Sequence, residues 1–316
     1  MKRIAVLDDY QGMAREMPGW DALAARLEPY EILVPIRERT RFPGGLLERL
    51  PRLELLALAG RNTGQVDVAA ATARGVLVTE SEGSGAGAVE LTMGLMLALV
   101  RRIPHEDRAI REGRWQTGLG IELAGKTLGI VGLGKIGRRI AAFGTLLGMT
   151  VLAWGPTLTP ERAAASQARY LPLDQLLAAS DIVSLHLRLL DATRGILGAR
   201  ELALLKPTAY LVNTARGPLV DEEALVAALR TRRLAGAALD VFAREPIPRD
   251  HPLLALDNVV LTPHVGFVTA ETYRAFYGQA AECIGDYLDG RPPAHLLNPE
   301  ALARIIREHG SRTMRA

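Results

Sequence analysis

Arg216, Glu245 and His264 are a permanent cation, a carboxylate and a titratable ring, each standing a few residues past an apolar, strand-like run. Together they could anchor a carboxylate, move a proton and orient the group that moves it. Taken singly, each has a plainer account: a surface arginine, a solvated glutamate before proline, a loop histidine satisfied by water. Their common setting argues for chemistry. Asn213-Thr214-Ala215-Arg216-Gly217 follows the run at 209–212, Asp240 to Pro246 follows the next run, and Thr262-Pro263-His264-Val265-Gly266 follows the last. Each segment puts a polar group at the carboxyl end of a strand, where open α/β sheets place their ligands.

Upstream, Gly132-Leu133-Gly134-Lys135-Ile136-Gly137 follows Thr127 to Val131 and opens a helix-compatible stretch. In a strand, glycine turn and helix of this kind, the first glycine permits the turn and the second lets backbone N–H groups approach a pyrophosphate. The third lets helix pack closely on strand. The helix N-terminus then faces the phosphates with its positive end. The spacing predicts a dinucleotide site.

Positioning such residues takes a sheet, and the alternation of strand-like and helix-like segments predicts parallel strands covered by helices. Strands are expected at Ile4–Leu7, Glu31–Val34, Leu55–Leu58 and Val76–Thr79. A second set is expected at 127–131, 150–154, 181–185, 208–213, 236–241 and 258–261, with a mostly apolar helix at Ala88–Arg102 between the sets. With 316 residues, two domains are the natural expectation. The longest apolar stretch, Leu91–Val100, is half the length a bilayer needs, so no membrane partner is expected. The chain runs from Met1 straight into a strand without a signal-peptide pattern, which points to the cytoplasm. The single cysteine, Cys283, excludes an internal disulfide and multi-cysteine metal sites, and it reads as a small buried hydrophobe. The net charge of +3 is scattered, for example over Arg230, Arg232 and Arg233, and aromatics are only 5%. That composition disfavours a nucleic-acid partner.

On these motifs, with Asn213 to Leu225, His251-Pro252-Leu253 and the return segment Pro292 to Ala301, the chain resembles the D-isomer-specific 2-hydroxyacid dehydrogenase family over nearly its whole length. The resemblance implies a Rossmann-type doubly wound parallel sheet domain, residues 99–280, which binds NAD or NADP. That domain would be inserted into a smaller flavodoxin-like α/β substrate domain, residues 1–98 plus 281–316. It further implies a homodimer whose domains close over their ligands, and interconversion of a small 2-keto acid and its D-2-hydroxy acid without a metal.

Carried onto this sequence, the resemblance makes His264 the acid/base, Glu245 its partner and Arg216 the substrate anchor. The chemistry agrees: reduction leaves negative charge on the carbonyl oxygen, a nearby imidazole can supply the proton, and a carboxylate beside it favours its protonated form. The resemblance also places Lys135 and Ile136 on the pyrophosphate, Thr214 and Ala215 on the nicotinamide side and Asp240 on the carboxamide. Gly132, Gly134, Gly137, Gly155 and Gly266 complete the cofactor set. Gly60 and Arg61 belong to the loop whose backbone receives the substrate carboxylate. Tyr10 and Trp115 either wall the pocket or serve a core or interface, and His105, His186 and His251 read as structural.

Two positions depart from the family pattern. Gly155 stands where NAD-selective members carry an acid for the ribose 2′-hydroxyl, and the nearest downstream cation, Arg162, is seven residues away. The choice between NAD and NADP is left open. Arg188 stands where proline is usual near the adenine. A different class of function on the same fold, a dinucleotide-sensing binding protein or corepressor, is the alternative. Formate dehydrogenase is disfavoured, because that branch pairs its histidine with glutamine and Glu245 stands here.

Overall fold

The computed structural model describes residues 2–7, 28–61 and 64–302. They fall into two compact units, one from residues 1–84 with 269–316 and one from 85–268. The division lies earlier than 98/99 and 280/281 because of what the two long helices pack on. Helix Ala86–Val100 buries Val89, Leu95, Met96 and Leu99 in the core of the larger unit. Helix Ala270–Leu288 runs in the smaller unit, where Ser81 Oγ donates to the carbonyl of Phe276 at 3.1 Å.

Among the described residues the smaller unit holds four parallel strands, β1 (Ile4–Leu7), β2 (Ile32–Pro35), β3 (Leu55–Ala57) and β4 (Leu77–Thr79), side by side in that order. A flavodoxin-like order has a strand on each side of the first one. Among the described residues β1 instead lies at the edge, paired only with β2. Leu33, Leu56 and Val78 form a core with Phe42, Leu47 and Leu50. Cys283 is buried in this unit with its thiol donating to the carbonyl of Ala294 at 3.2 Å, and burial raises its pKa. Tyr10 and the helix expected at 19–27 lie outside the described residues.

The larger unit is built on β5 (Thr127–Val131), β6 (Thr150–Trp154), β7 (Arg169–Tyr170), β8 (Ile182–Leu185), β9 (Tyr210–Asn213), β10 (Gly236–Leu239) and β11 (Val259–Leu261). All are parallel, in the order β11-β10-β9-β8-β5-β6-β7. β5 is central, with Gly129 opposite both Leu152 and Val183. This is the doubly wound Rossmann arrangement, with strand order reversing at β5 and β8. Six of the seven strands are those expected from the sequence. The seventh, β7, is two residues long and carries too little pattern to read.

Apolar runs form these strands because helices cover both faces of the sheet, so inward and outward side chains are equally buried. Leu176, Leu202, Leu225 and Leu229 cover one face, and Met96, Leu99, Ile140 and Ala141 cover the other. Each fully buried leucine or isoleucine contributes about 1.5–3 kcal/mol. Among the described residues, no helix is long and apolar enough to cross a membrane.

Candidate active site

The glycine turn begins where β5 ends. Gly132 has φ +105°, and a Cβ there would lie 2.7 Å from the carbonyl carbon and oxygen of His186, so both conformation and space require glycine. At Gly137 a Cβ would lie 2.2 Å from the carbonyl oxygen of Gly132, which lets helix Lys135–Leu146 start against the turn. Gly134 precedes that helix with open space above it, and no side chain caps the first turn. Lys135 is exposed and Ile136 half-buried. Uncapped N–H groups, a positive dipole end and a floor of bare backbone suit a pyrophosphate. The residues present therefore fit a dinucleotide.

The loop after β9 is braced from within. Buried Asn213 accepts from the N–H of Ala215 at 3.0 Å and donates through Nδ2 to the carbonyl of Arg216 at 2.9 Å. Thr214 Oγ1 lies 2.7 Å from Oγ1 of fully buried Thr92, on helix Ala86–Val100. Arg216 is half-buried, with Nη1 donating to the carbonyl of Ala215 at 2.6 Å. A Cβ on Gly217 would meet the carbonyl carbon of Phe242 at 2.0 Å, so this glycine lets the Arg216 loop press against the segment that leads to Glu245.

That segment and the last loop bring Glu245 and His264 together. Glu245 accepts from the N–H of Phe242 at 3.0 Å through Oε1 and meets His264 Nδ1 at 2.6 Å through Oε2. The carboxylate thereby fixes the imidazole's orientation and leaves Nε2 for another partner. His264 has φ +55°, and its ring packs edge-on against Phe267 at 5.9 Å between centroids. Beneath this loop sits Asp240, only 1% exposed. It accepts from Thr262 Oγ1 at 2.6 Å, from the N–H of Val265 at 2.8 Å and from the N–H of Gly266 at 2.9 Å. Burial raises the Asp240 pKa against the pull of those hydrogen bonds. Its described contacts hold the loop that carries His264, a brace that residue type alone did not reveal.

Glu222 was missed as well. Its carboxylate accepts from the N–H of Ala243 at 3.0 Å and pairs with His251 Nε2 at 3.1 Å, steadying the Glu245 segment from behind. His186 bonds Ser184 Oγ at 2.9 Å, and desolvation pushes its pKa down to about 4, which keeps it neutral beneath the glycine turn. Trp115 is 74% exposed and lines no core of its unit. Arg188 is exposed.

Gly155 lies in the loop after β6. A Cβ on Gly155 would meet only Leu158 Cβ, at 3.5 Å, and the carbon of Gly132, at 4.0 Å, so a side chain fits there. Arg162 folds back over the loop, with Nη1 donating to the carbonyl of Thr157 at 2.7 Å. A helix start at Pro160, capped by Thr159, turns the chain and returns this guanidinium to a loop that looked remote in sequence.

Gly60 and Arg61 lie in the smaller unit. Gly60 has φ +124° and donates to the carbonyl of Leu58 at 3.0 Å, and the stem of Arg37 covers it. Arg61 is bonded to the carboxylate of Glu82.

A family model described as D-isomer specific 2-hydroxyacid dehydrogenase, NAD binding domain, matches residues 93–266. The chain is 40% identical over 309 residues to a glyoxylate reductase of Aeropyrum pernix, covering 95% of this chain and 90% of that one. It is 37% identical over 282 residues to a D-3-phosphoglycerate dehydrogenase of Methanocaldococcus jannaschii, covering 88% of this chain and 53% of that one. It thus spans about half the length of the phosphoglycerate dehydrogenases it matches. Among solved structures, a phosphoglycerate oxidoreductase from Vibrio cholerae is similar with a TM-score of 0.85 and 37% identity, covering 92% of this chain and 100% of that one.

Proposed function

This chain belongs to the D-isomer-specific 2-hydroxyacid dehydrogenase family, and from that premise we propose that Arg216, Glu245 and His264 carry an NAD(P)-dependent interconversion of a small 2-keto acid and its D-2-hydroxy acid. The observation that carries this reading is the 2.6 Å contact between His264 Nδ1 and Glu245 Oε2, on a loop tied down by Asp240. Gly132, Gly134, Lys135, Ile136 and Gly137 would hold the pyrophosphate, with Thr214, Ala215, Asp240 and Gly266 around the nicotinamide. When bound, the reduced cofactor supplies the hydride for the carbonyl carbon. His264 Nε2 gives its proton to the carbonyl oxygen as negative charge develops there, and Glu245 holds the ring in place through Nδ1. Arg216 pairs with the substrate carboxylate and polarises the neighbouring carbonyl. Gly60 and Arg61 belong to the same reading as substrate contacts. A homodimer belongs to it too, supported by Trp115, a large apolar ring left uncovered in its own unit.

Oxidation of reduced nicotinamide cofactor with glyoxylate, hydroxypyruvate, pyruvate, phosphohydroxypyruvate and bulkier keto acids tests the function. Turnover is expected with at least one of the small acids. Tight cofactor binding with no turnover of any of them would overturn the reading in favour of a dinucleotide sensor.

The loop after β6 should favour or at least accept NADP. No carboxylate stands at Gly155 to repel a 2′-phosphate, and Arg162 brings a guanidinium to the loop. Arg162→Ala is expected to lower kcat/KM for NADPH about tenfold while NADH is little affected. Gly155→Asp, which the loop has room for, should also cut NADPH use more than NADH use. Equal losses for both cofactors in both variants would mean that these positions shape the turn and select nothing.

A further inference from the structure

Two successive N–H groups in the segment after β10 are taken by two different carboxylates. That of Phe242 goes to Glu245 at 3.0 Å, and that of Ala243 goes to Glu222 Oε2, also at 3.0 Å. Gly217, beside Arg216, presses on the same backbone, since a Cβ there would lie 2.6 Å from the nitrogen of Ala243. The placement of Glu245 therefore depends on this short stretch, and Glu222 ties the stretch to helix Glu222–Arg230. The helix does not need that carboxylate for its own start. Asp221 caps it, accepting from the N–H of Ala224 at 3.1 Å.

His251 completes the arrangement and restricts it. Its Nδ1 accepts from the N–H of Leu253 at 3.3 Å, so the ring hydrogen stands on Nε2, which faces Glu222 Oε1 at 3.1 Å. Glu222 thus receives one donor on each oxygen. A carboxylate accepts both, whereas an amide in its place offers a single oxygen and turns a donor toward a donor. Both side chains are largely shielded, Glu222 being 21% and His251 15% exposed, so water replaces these bonds poorly.

We propose, on the reading that Glu245 and His264 carry the proton transfer, that Glu222 and His251 are positioning residues for that pair. His251 holds the Glu222 carboxylate, Glu222 holds the N–H of Ala243, and that backbone sets Glu245 against His264 Nδ1. Both act through Glu245 and move no proton themselves. The contact they serve is 2.6 Å long, and a misplacement of about 1 Å at a reacting group costs about 10²-fold in rate.

The test combines the imidazole nitrogen NMR shifts, with the His264 signals assigned by their loss in His264→Asn, and steady-state kinetics. Glu222→Gln is expected to move the His264 signals toward those of Glu245→Ala and to lower kcat about 10–100-fold, with KM for the cofactor unchanged. Glu223→Gln, an exposed neighbour in the same helical turn, controls for charge at the helix end and should do neither. In a Glu245→Ala background, Glu222→Gln should add little, because it acts through a residue already removed. His251→Gln keeps a donor toward Glu222, and His251→Asn keeps an acceptor for Leu253. Positioning predicts that the glutamine variant retains most of kcat and the asparagine variant does not, and the opposite order would reduce His251 to a cap of the turn at Pro252–Ala255. Unchanged His264 signals in Glu222→Gln, or a fully additive loss in the double variant, would overturn the role of Glu222. The nitrogen shifts need no turnover, so a protein inactive toward every keto acid would fail the proposed function while the His264 signals still decided the positioning.

Discussion

Replacing His264 by alanine is expected to lower kcat for keto-acid reduction by about two to four orders of magnitude. Cofactor affinity should stay the same. The imidazole contributes one hydrogen bond, to Glu245, whereas the loop that carries it is held by backbone. Its own N–H donates to the carbonyl of Asp240 at 2.8 Å, and the N–H groups of Val265 and Gly266 donate to the Asp240 carboxylate. Losing the ring therefore removes the proton donor and leaves its platform. Alanine in the left-handed conformation of residue 264 costs about 1–2 kcal/mol, so His264→Asn, which tolerates that backbone, separates lost chemistry from lost stability. Steady-state rates beside a cofactor fluorescence titration make the measurement. Wild-type turnover in either variant would remove His264 from the reaction.

Arg216→Gln is expected to reduce kcat/KM about 10²–10³-fold, again without loss of cofactor binding. Here too the backbone is fixed independently of the side chain, by Asn213 on the carbonyl of Arg216 and by Gly217 against Phe242. Glutamine keeps much of the length but loses the charge and the paired donors that grip a carboxylate. Arg216→Lys restores charge without the planar fork and should recover only part of the loss. If the glutamine variant changed KM for the cofactor and not for the keto acid, the anchor role would fail.

The sequence alone determined what depends on neighbours along the chain. Gly132 and Gly137 were legible because a turn between strand and helix needs bare backbone within six residues of itself. The strands of the larger sheet were legible because a doubly covered parallel strand must be apolar on both faces. Strand ends carrying Arg216, Glu245 and His264 followed from those strands.

Tertiary structure decided what depends on residues distant in sequence. Asp240 became the anchor of the His264 loop, Glu222 the support behind Glu245, and Thr92 the neighbour of Thr214, only once strands and helices far apart in the chain lay side by side. The edge position of β1 among the described residues depended on strand pairing. A residue's type states which hydrogen bonds and charges it can offer. Which partner meets them, and whether water is excluded when they meet, is settled by packing over the whole chain.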